Sequence, residues 1–191
     1  MKTTIFMLML SIISLNITAQ QKIKFSSNVN IAWLNGSSQN EIAIQNINGI
    51  KYKQWKAGIG VGIDNYGYTT APLFIDVRKN FGNKRIQPYA YVDIGVSVPL
   101  RTKQLPEKWV GSSDASKLHT SFYQDAGIGL CFINRKHKQR FFISAGYSYK
   151  RFAYDELNRN PLSSYWNPID IPITYKFNYY RLNMRMGFYI K

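Results

Sequence analysis

The chain has 191 residues, the length of one domain, with 25 Lys plus Arg against 10 Asp plus Glu and a formal charge of +15. Hydrophobic residues make up 45% and aromatics 15%, with 14 Tyr and 11 Phe, which excludes a disordered chain because such chains lack large apolar side chains. One cysteine, Cys131, excludes an internal disulfide framework and a CxxC-type zinc site, and two histidines, His119 and His137, leave little for a His-based metal centre.

The first element is a leader. Lys2 supplies a positive start, Ile5 to Leu15 is an apolar run broken only by Ser11 and Ser14, and Ala19 is a small residue at its end. That order predicts a secretory signal peptide over residues 1–19, since the run falls short of the ~18 to 20 apolar residues of a spanning helix. No cysteine near the site offers a lipoprotein attachment point. Residues 20–191 are then one exported domain. Export sets nucleic acid aside as the partner of the basic charge and leaves an anionic membrane surface.

From there the pattern has period two. Val29, Ile31 and Trp33 alternate with Asn28, Asn30 and Ala32, and Ile42 and Ile44 begin a less regular second strand running toward Asn48-Gly49. In the third, Trp55, Ala57, Ile59, Val61 and Ile63 oppose Gly58, Gly60, Gly62 and Asp64. The fourth sets Leu73, Ile75 and Val77 against Phe74, Asp76, Arg78 and Asn80. The fifth sets Ala90, Val92, Ile94, Val96 and Val98 against Tyr89, Tyr91, Asp93, Gly95 and Ser97. The sixth sets Phe122, Ala126, Ile128 and Leu130 against Tyr123, Asp125, Gly127, Gly129 and Cys131, with Gln124 as an exception on the apolar face. Phe141, Ile143, Ala145, Tyr147 and Tyr149 define the seventh, opposite Phe142, Ser144, Gly146, Ser148 and Lys150. Leu182, Met184, Met186, Phe188 and Ile190 define the eighth, opposite Arg181, Asn183, Arg185 and Gly187. Strict alternation over segments of this length is a strand signal.

Short connections, Asn48–Gln54, Gly82–Arg85 and Asn134–Gln139, alternate with others that include two long ones, Pro99–His119 and Ala153–Tyr175. Tight periplasmic turns and longer outer loops are the habit of outer-membrane barrels. The face chemistry agrees: a solvated exterior would carry Lys, Glu and Thr, whereas the non-apolar face here carries Gly rows with isolated Asp, Arg and Tyr. Glycine is easier to explain where bulky Tyr and Arg need room across a narrow lumen. Trp33, Trp55, Tyr149, Tyr180 and Phe188 lie near strand ends on the apolar face, where aromatic girdles belong. The predicted fold is all-β, an eight-stranded antiparallel up-and-down transmembrane β-barrel.

The chain resembles small eight-stranded outer-membrane β-barrel proteins of Gram-negative bacteria, the OmpA-transmembrane-domain and OmpX type, and more narrowly an exported "outer membrane protein beta-barrel" family. The residues that carry this are Asn48-Gly49-Ile50-Lys51-Tyr52 into Gly58-Ile59-Gly60-Val61-Gly62, Pro72 to Arg78, Pro88 to Gly95, and Arg181 to Phe188. The resemblance implies a fold and an outer-membrane location, and its motifs are structural rather than chemical. That class generally ends in an aromatic residue, whereas this sequence ends Tyr189-Ile190-Lys191.

The lumen face collects Asp76, Arg78, Asp93, Asp125, Arg181 and Arg185, expected as a structural ion-pair network, because buried charges are paired. Arg101, Lys103, Lys108 and Lys117 in the third outer connection and Lys150, Arg151 and Arg159 at the start of the fourth are candidates for surface contacts. Of these, Arg101, Lys103, Lys108, Lys117 and Arg159 are the ones expected to meet glycolipid phosphates. The expected protein is monomeric, without cofactor, metal or catalytic residues, and acts structurally or at the cell surface. Its expected partners are outer-membrane lipid, lipopolysaccharide, or an extracellular protein or glycan. Two readings stay open beside it: a lipid-modifying enzyme using His119 and Ser121, and a soluble periplasmic barrel binding an apolar ligand.

Overall fold

The computed structural model describes residues 23–36, 40–65, 69–82, 84–100, 117–134, 139–159 and 170–190. The leader lies outside these. Eight strands run β1 (Lys24–Asn35), β2 (Asn40–Tyr52), β3 (Trp55–Asn65), β4 (Thr69–Asn80), β5 (Ile86–Pro99), β6 (Ser121–Asn134), β7 (Gln139–Arg159) and β8 (Asp170–Ile190). Each pairs antiparallel with the next, and β8 returns to β1 through the register Ser27↔Ile190 to Asn35↔Leu182. The sheet therefore has no open edge over that span, and every ladder hydrogen bond finds a partner, as hydrocarbon requires.

The predicted faces are the observed ones, and they point the expected way. Ile59, Ile75 and Ile128 are 62%, 62% and 71% exposed on the outside, whereas Asp93, Asp125 and Lys150 are 0% exposed within. Thirty-five large hydrophobic side chains of the described residues are exposed, most of them on the outward face of the strands, against twelve buried hydrophobics. In water each outward residue would forgo ~1.5–3 kcal/mol of burial, a sum far above the ~5–15 kcal/mol net stability of a domain. The hydrocarbon-facing barrel is the consistent solution, and the soluble, apolar-cored barrel is excluded by this inversion.

The chain departs from expectation in its connections. The turn placed at Asn48–Gln54 is mostly strand: β2 continues to Tyr52, and only Lys53 and Gln54 turn, with Lys53 in the left-handed region at φ 53°. The fourth long loop, expected over Ala153–Tyr175, is instead largely a β-ribbon. β7 and β8 are 21 residues each against 11 to 14 for the other six strands. Beyond Lys150↔Tyr179 they pair through nine further residue pairs, Arg151↔Asn178 to Arg159↔Asp170, roughly 30 Å of strand. The reason was present in the sequence: Phe152, Tyr154, Tyr175, Phe177 and Tyr179 keep period two across the supposed loop. The third connection also holds order, a two-residue strand Lys117–Leu118 paired with Asp155 and Tyr154 of β7.

Three outward positions break the apolar band. Asn46 and Asn48 face out from the middle of β2 and hydrogen-bond each other, which spares both amides an unpaired exposure to lipid. Gln124 faces out on β6, as its sequence position indicates.

Candidate functional site

Inside the barrel, alternation delivers one polar or aromatic side chain per two residues from every strand, and glycines set the space between them. A Cβ at Gly60 would collide with the Phe74 ring, and one at Gly129 would sit 2.6 Å from Tyr89 Cζ. The glycine rows thus leave floor space for rings from neighbouring strands.

Charges occupy three levels. At the end with the tight turns, Arg78 Nε donates to Asp76 Oδ2 at 2.7 Å, a pair within one strand, and Arg78 Nη1 reaches the Tyr189 hydroxyl at 3.3 Å. Its guanidinium also lies 5.2 Å from the Phe142 ring centroid, a cation–π contact in a desolvated setting. At mid-height Arg185 spans the lumen: Nη1 to Asp93 Oδ2 at 2.7 Å and Nη2 to Asp125 Oδ2 at 2.6 Å. Asp125 also accepts from the Tyr91 hydroxyl at 3.0 Å and from Asn183. At the opposite end Lys150 Nζ donates to both Asp64 oxygens and to Thr70 Oγ1, each at 2.8 Å.

Five of the six predicted lumen charges thus meet in ion pairs, with Arg185 serving two carboxylates. Arg181 is buried at the Lys150 level, where its stem flanks Gly36. Lys150, expected at the start of the fourth outer loop, is corrected: its parity on β7 aims it inward, and Asp64 holds it there. Asp64 and Lys150 were both legible as the ends of alternating polar rows, Gly58-Gly60-Gly62-Asp64 and Ser144-Gly146-Ser148-Lys150. Nothing local marked them as partners 86 residues apart.

His119 and Ser121 do come close, in a different arrangement from a nucleophile and its base. His119 Nε2 lies 2.7 Å from Asp155 Oδ2, and Asp155 Oδ1 accepts from Thr174 Oγ1 at 2.7 Å. Ser121 Oγ turns to the His119 carbonyl oxygen at 3.5 Å, and its residue is 4% exposed. With His119 N donating to Ala153 O at 3.0 Å, the group clasps the strip after Lys117–Leu118 onto the β7–β8 ribbon. Arg101, Lys103, Lys108 and His137 lie outside the described residues, and of Lys117 and Arg159 only the strand backbone is described. Among the described residues no cluster of three or more His, Cys, Asp or Glu could hold a metal. Cys131 is a buried free thiol in the lumen wall.

Above Lys150 the inner face turns aromatic. Phe152 and Tyr154 are buried against Phe177 and Tyr179, with Tyr154 and Phe177 stacked at 5.9 Å and 4°. Tyr179 packs against Ala32, Leu34 and Ala43 of β1 and β2, which ties the base of the ribbon to the neighbouring barrel wall.

A closed eight-stranded antiparallel barrel with a lipid-facing apolar exterior and a charged, side-chain-lined interior is the fold of the small outer-membrane β-barrels. In accord with that, it is similar to the crystal structure of Neisserial surface protein A (NspA), with a TM-score of 0.54 and 14% identity over 90% of this chain and 99% of that one. The outer membrane protein OprG from Pseudomonas aeruginosa also aligns, at 0.45 and 12% identity over 86% and 94%. No family model and no curated protein matches the sequence.

Proposed function

We propose that this is an exported, non-catalytic outer-membrane protein, cleaved after residue 19, whose barrel is a rigid, side-chain-filled mount for the β7–β8 ribbon at the cell surface. The observation that carries it is the ribbon itself: two strands of 21 residues extend nine pairs past Lys150 while the other strands stop at the barrel. A long, aromatic-floored ribbon is costly to order unless it presents something, since each fixed residue loses ~1–2 kcal/mol of backbone entropy. The ribbon's outward cations, Arg151 and Lys176, are suited to glycolipid phosphates, as are the basic residues of the third connection. The structural role of His119 is supported by Ser121, whose hydroxyl is turned to the His119 backbone carbonyl rather than to the imidazole.

Orientation is the direct test. Labelling of intact cells with a membrane-impermeant thiol reagent should succeed at Ser113→Cys in a Cys131→Ser background and fail at Asn83→Cys until the membrane is broken. The reverse pattern, or a chain that fractionates without detergent and shows no heat-modifiable migration, would sink the reading.

A further inference from the structure

The lumen at the end with the tight turns carries a row of cations. Lys24↔Lys51 on β1 and β2, Lys51↔Lys56 on β2 and β3, and Lys56↔Arg78 on β3 and β4 are direct cross-strand partners. Partners in register point to the same side of a sheet, and the parity of each strand puts all four on the lumen side, with Asn28, Ile47, Gly58 and Asp76 as their inward neighbours. Arg140 on β7 joins them, opposite the inward Tyr189. Lys56 stands over the ring of Tyr189, the register partner of Arg140, which brings Arg140 beside the row. Like charges directly opposite on a sheet are destabilising, so such a row calls for a counter-ion. Among the described residues the carboxylate at that level, Asp76, is already engaged by Arg78 at 2.7 Å, and the neighbouring Cys131 is a buried free thiol.

Lys56 sharpens the point. It is 4% exposed, its Nζ has no hydrogen-bond partner, and it stands 3.5 Å over the Tyr189 ring beside a cavity of about 10 Å³ bounded by Ser26, Asn28, Asp76 and Arg78. That space fits at most one water. Lys51 and Arg140 are half-buried and Lys24 is exposed, so exposure rises along the row from the enclosed Lys56 to the rim. Outside the wall at the same level stand Tyr52, Trp55, Phe81 and Phe188, the aromatic belt of the membrane interface, with Lys79 Nζ 4.9 Å from the Trp55 ring centroid. The mouth therefore lies at headgroup depth.

We propose that Lys51 and Arg140, with Lys24 at the rim and the enclosed charge of Lys56 behind them, form an oxyanion site at the turn-end mouth of the lumen that takes a phosphate group. A phosphate offers up to two negative charges and several acceptor oxygens, enough to answer three cations at once, which a single carboxylate does not. The phosphate comes either free or on the headgroup of an anionic phospholipid in the adjoining leaflet.

The test uses the full mature barrel, folded in an uncharged detergent, with heat-modifiable migration as the check that each variant is folded. Inorganic phosphate titrated calorimetrically at constant ionic strength should bind saturably to wild type, with chloride at equal ionic strength giving no response. Lys51→Gln and Arg140→Gln should each weaken binding ~10-fold, the loss of one charge-assisted hydrogen bond. Lys56→Met keeps the stem and removes the buried charge. It should unfold at a higher temperature than wild type without phosphate and show little further rise with it. In nanodiscs, native mass spectrometry should find phosphatidylglycerol retained over phosphatidylcholine if the headgroup is the source, and equal retention with intact phosphate binding identifies the free ion. Absence of both phosphate binding and lipid preference overturns the site, as does binding that survives all three substitutions.

Discussion

At the scale of single residues, the lumen divides into positions that carry charge and positions that carry space. Arg185 bridges Asp93 and Asp125, and all three are buried at 3% or less. Arg185→Ala should therefore destabilise the barrel by roughly 3–5 kcal/mol, the cost of leaving an uncompensated buried charge. Urea unfolding from lipid vesicles followed by tryptophan fluorescence would measure it, and a loss below ~1 kcal/mol would show that the carboxylates find other partners. Gly60 acts through volume. Gly60→Ala drives a methyl into the Phe74 ring, and overpacking of this kind costs ~1–3 kcal/mol. Val61, its neighbour, faces lipid at 50% exposure, and Val61→Arg should cost ~2–4 kcal/mol if the position is near midplane. The two adjacent residues thus fail for opposite reasons, and a smaller Phe74 should rescue only the first.

At the scale of elements, the ribbon and its clasp are separable from the barrel. Barrel closure ends at Asn35↔Leu182, so the outer part of β8 and the end of β7 take no part in it. Deletion of residues 156–173 with a short turn in their place should leave a folded, heat-modifiable barrel. Failure to fold would mean that the ribbon is needed to close the sheet. The strip Lys117–Leu118 depends on less: two residue pairs, one backbone bond and the His119–Asp155–Thr174 chain. Asp155→Asn should raise hydrogen exchange at the His119 amide, which donates to Ala153 O, while amides of β3 and β4 keep their protection.

At the scale of the whole molecule, eight strands enclose a space that side chains can fill, whereas aqueous porins need ~16–18. Arg78, Tyr123, Phe74, Phe142 and Lys150 are among the largest fully buried side chains, and they occupy all levels of the lumen. In planar bilayers the purified protein should show no steady, porin-sized conductance, and reproducible large steps from a monomer would overturn the filled interior. Arg185→Ala should lower stability far more than it changes permeability.

Period-two alternation was enough, from sequence, for the number of barrel strands, their faces and the inversion that marks hydrocarbon as the solvent. Each of these depends only on which side of a pleat a residue occupies. The same parity rule already aimed Asp64, Lys56 and Lys150 inward, and the aromatic row from Phe152 to Tyr179 already carried a strand pattern that loop length obscured. Other features needed the closed barrel. Arg185 meets Asp93 and Asp125 because closure sets β8 across the lumen from β5 and β6, and Lys150 meets Asp64 because β7 faces β3 across a narrow bore. His119 gains Asp155 only through the pairing of Lys117–Leu118 with β7. Strand faces follow from neighbours along the chain, whereas partners across a lumen follow from strand order, register and curvature, which no local spacing encodes.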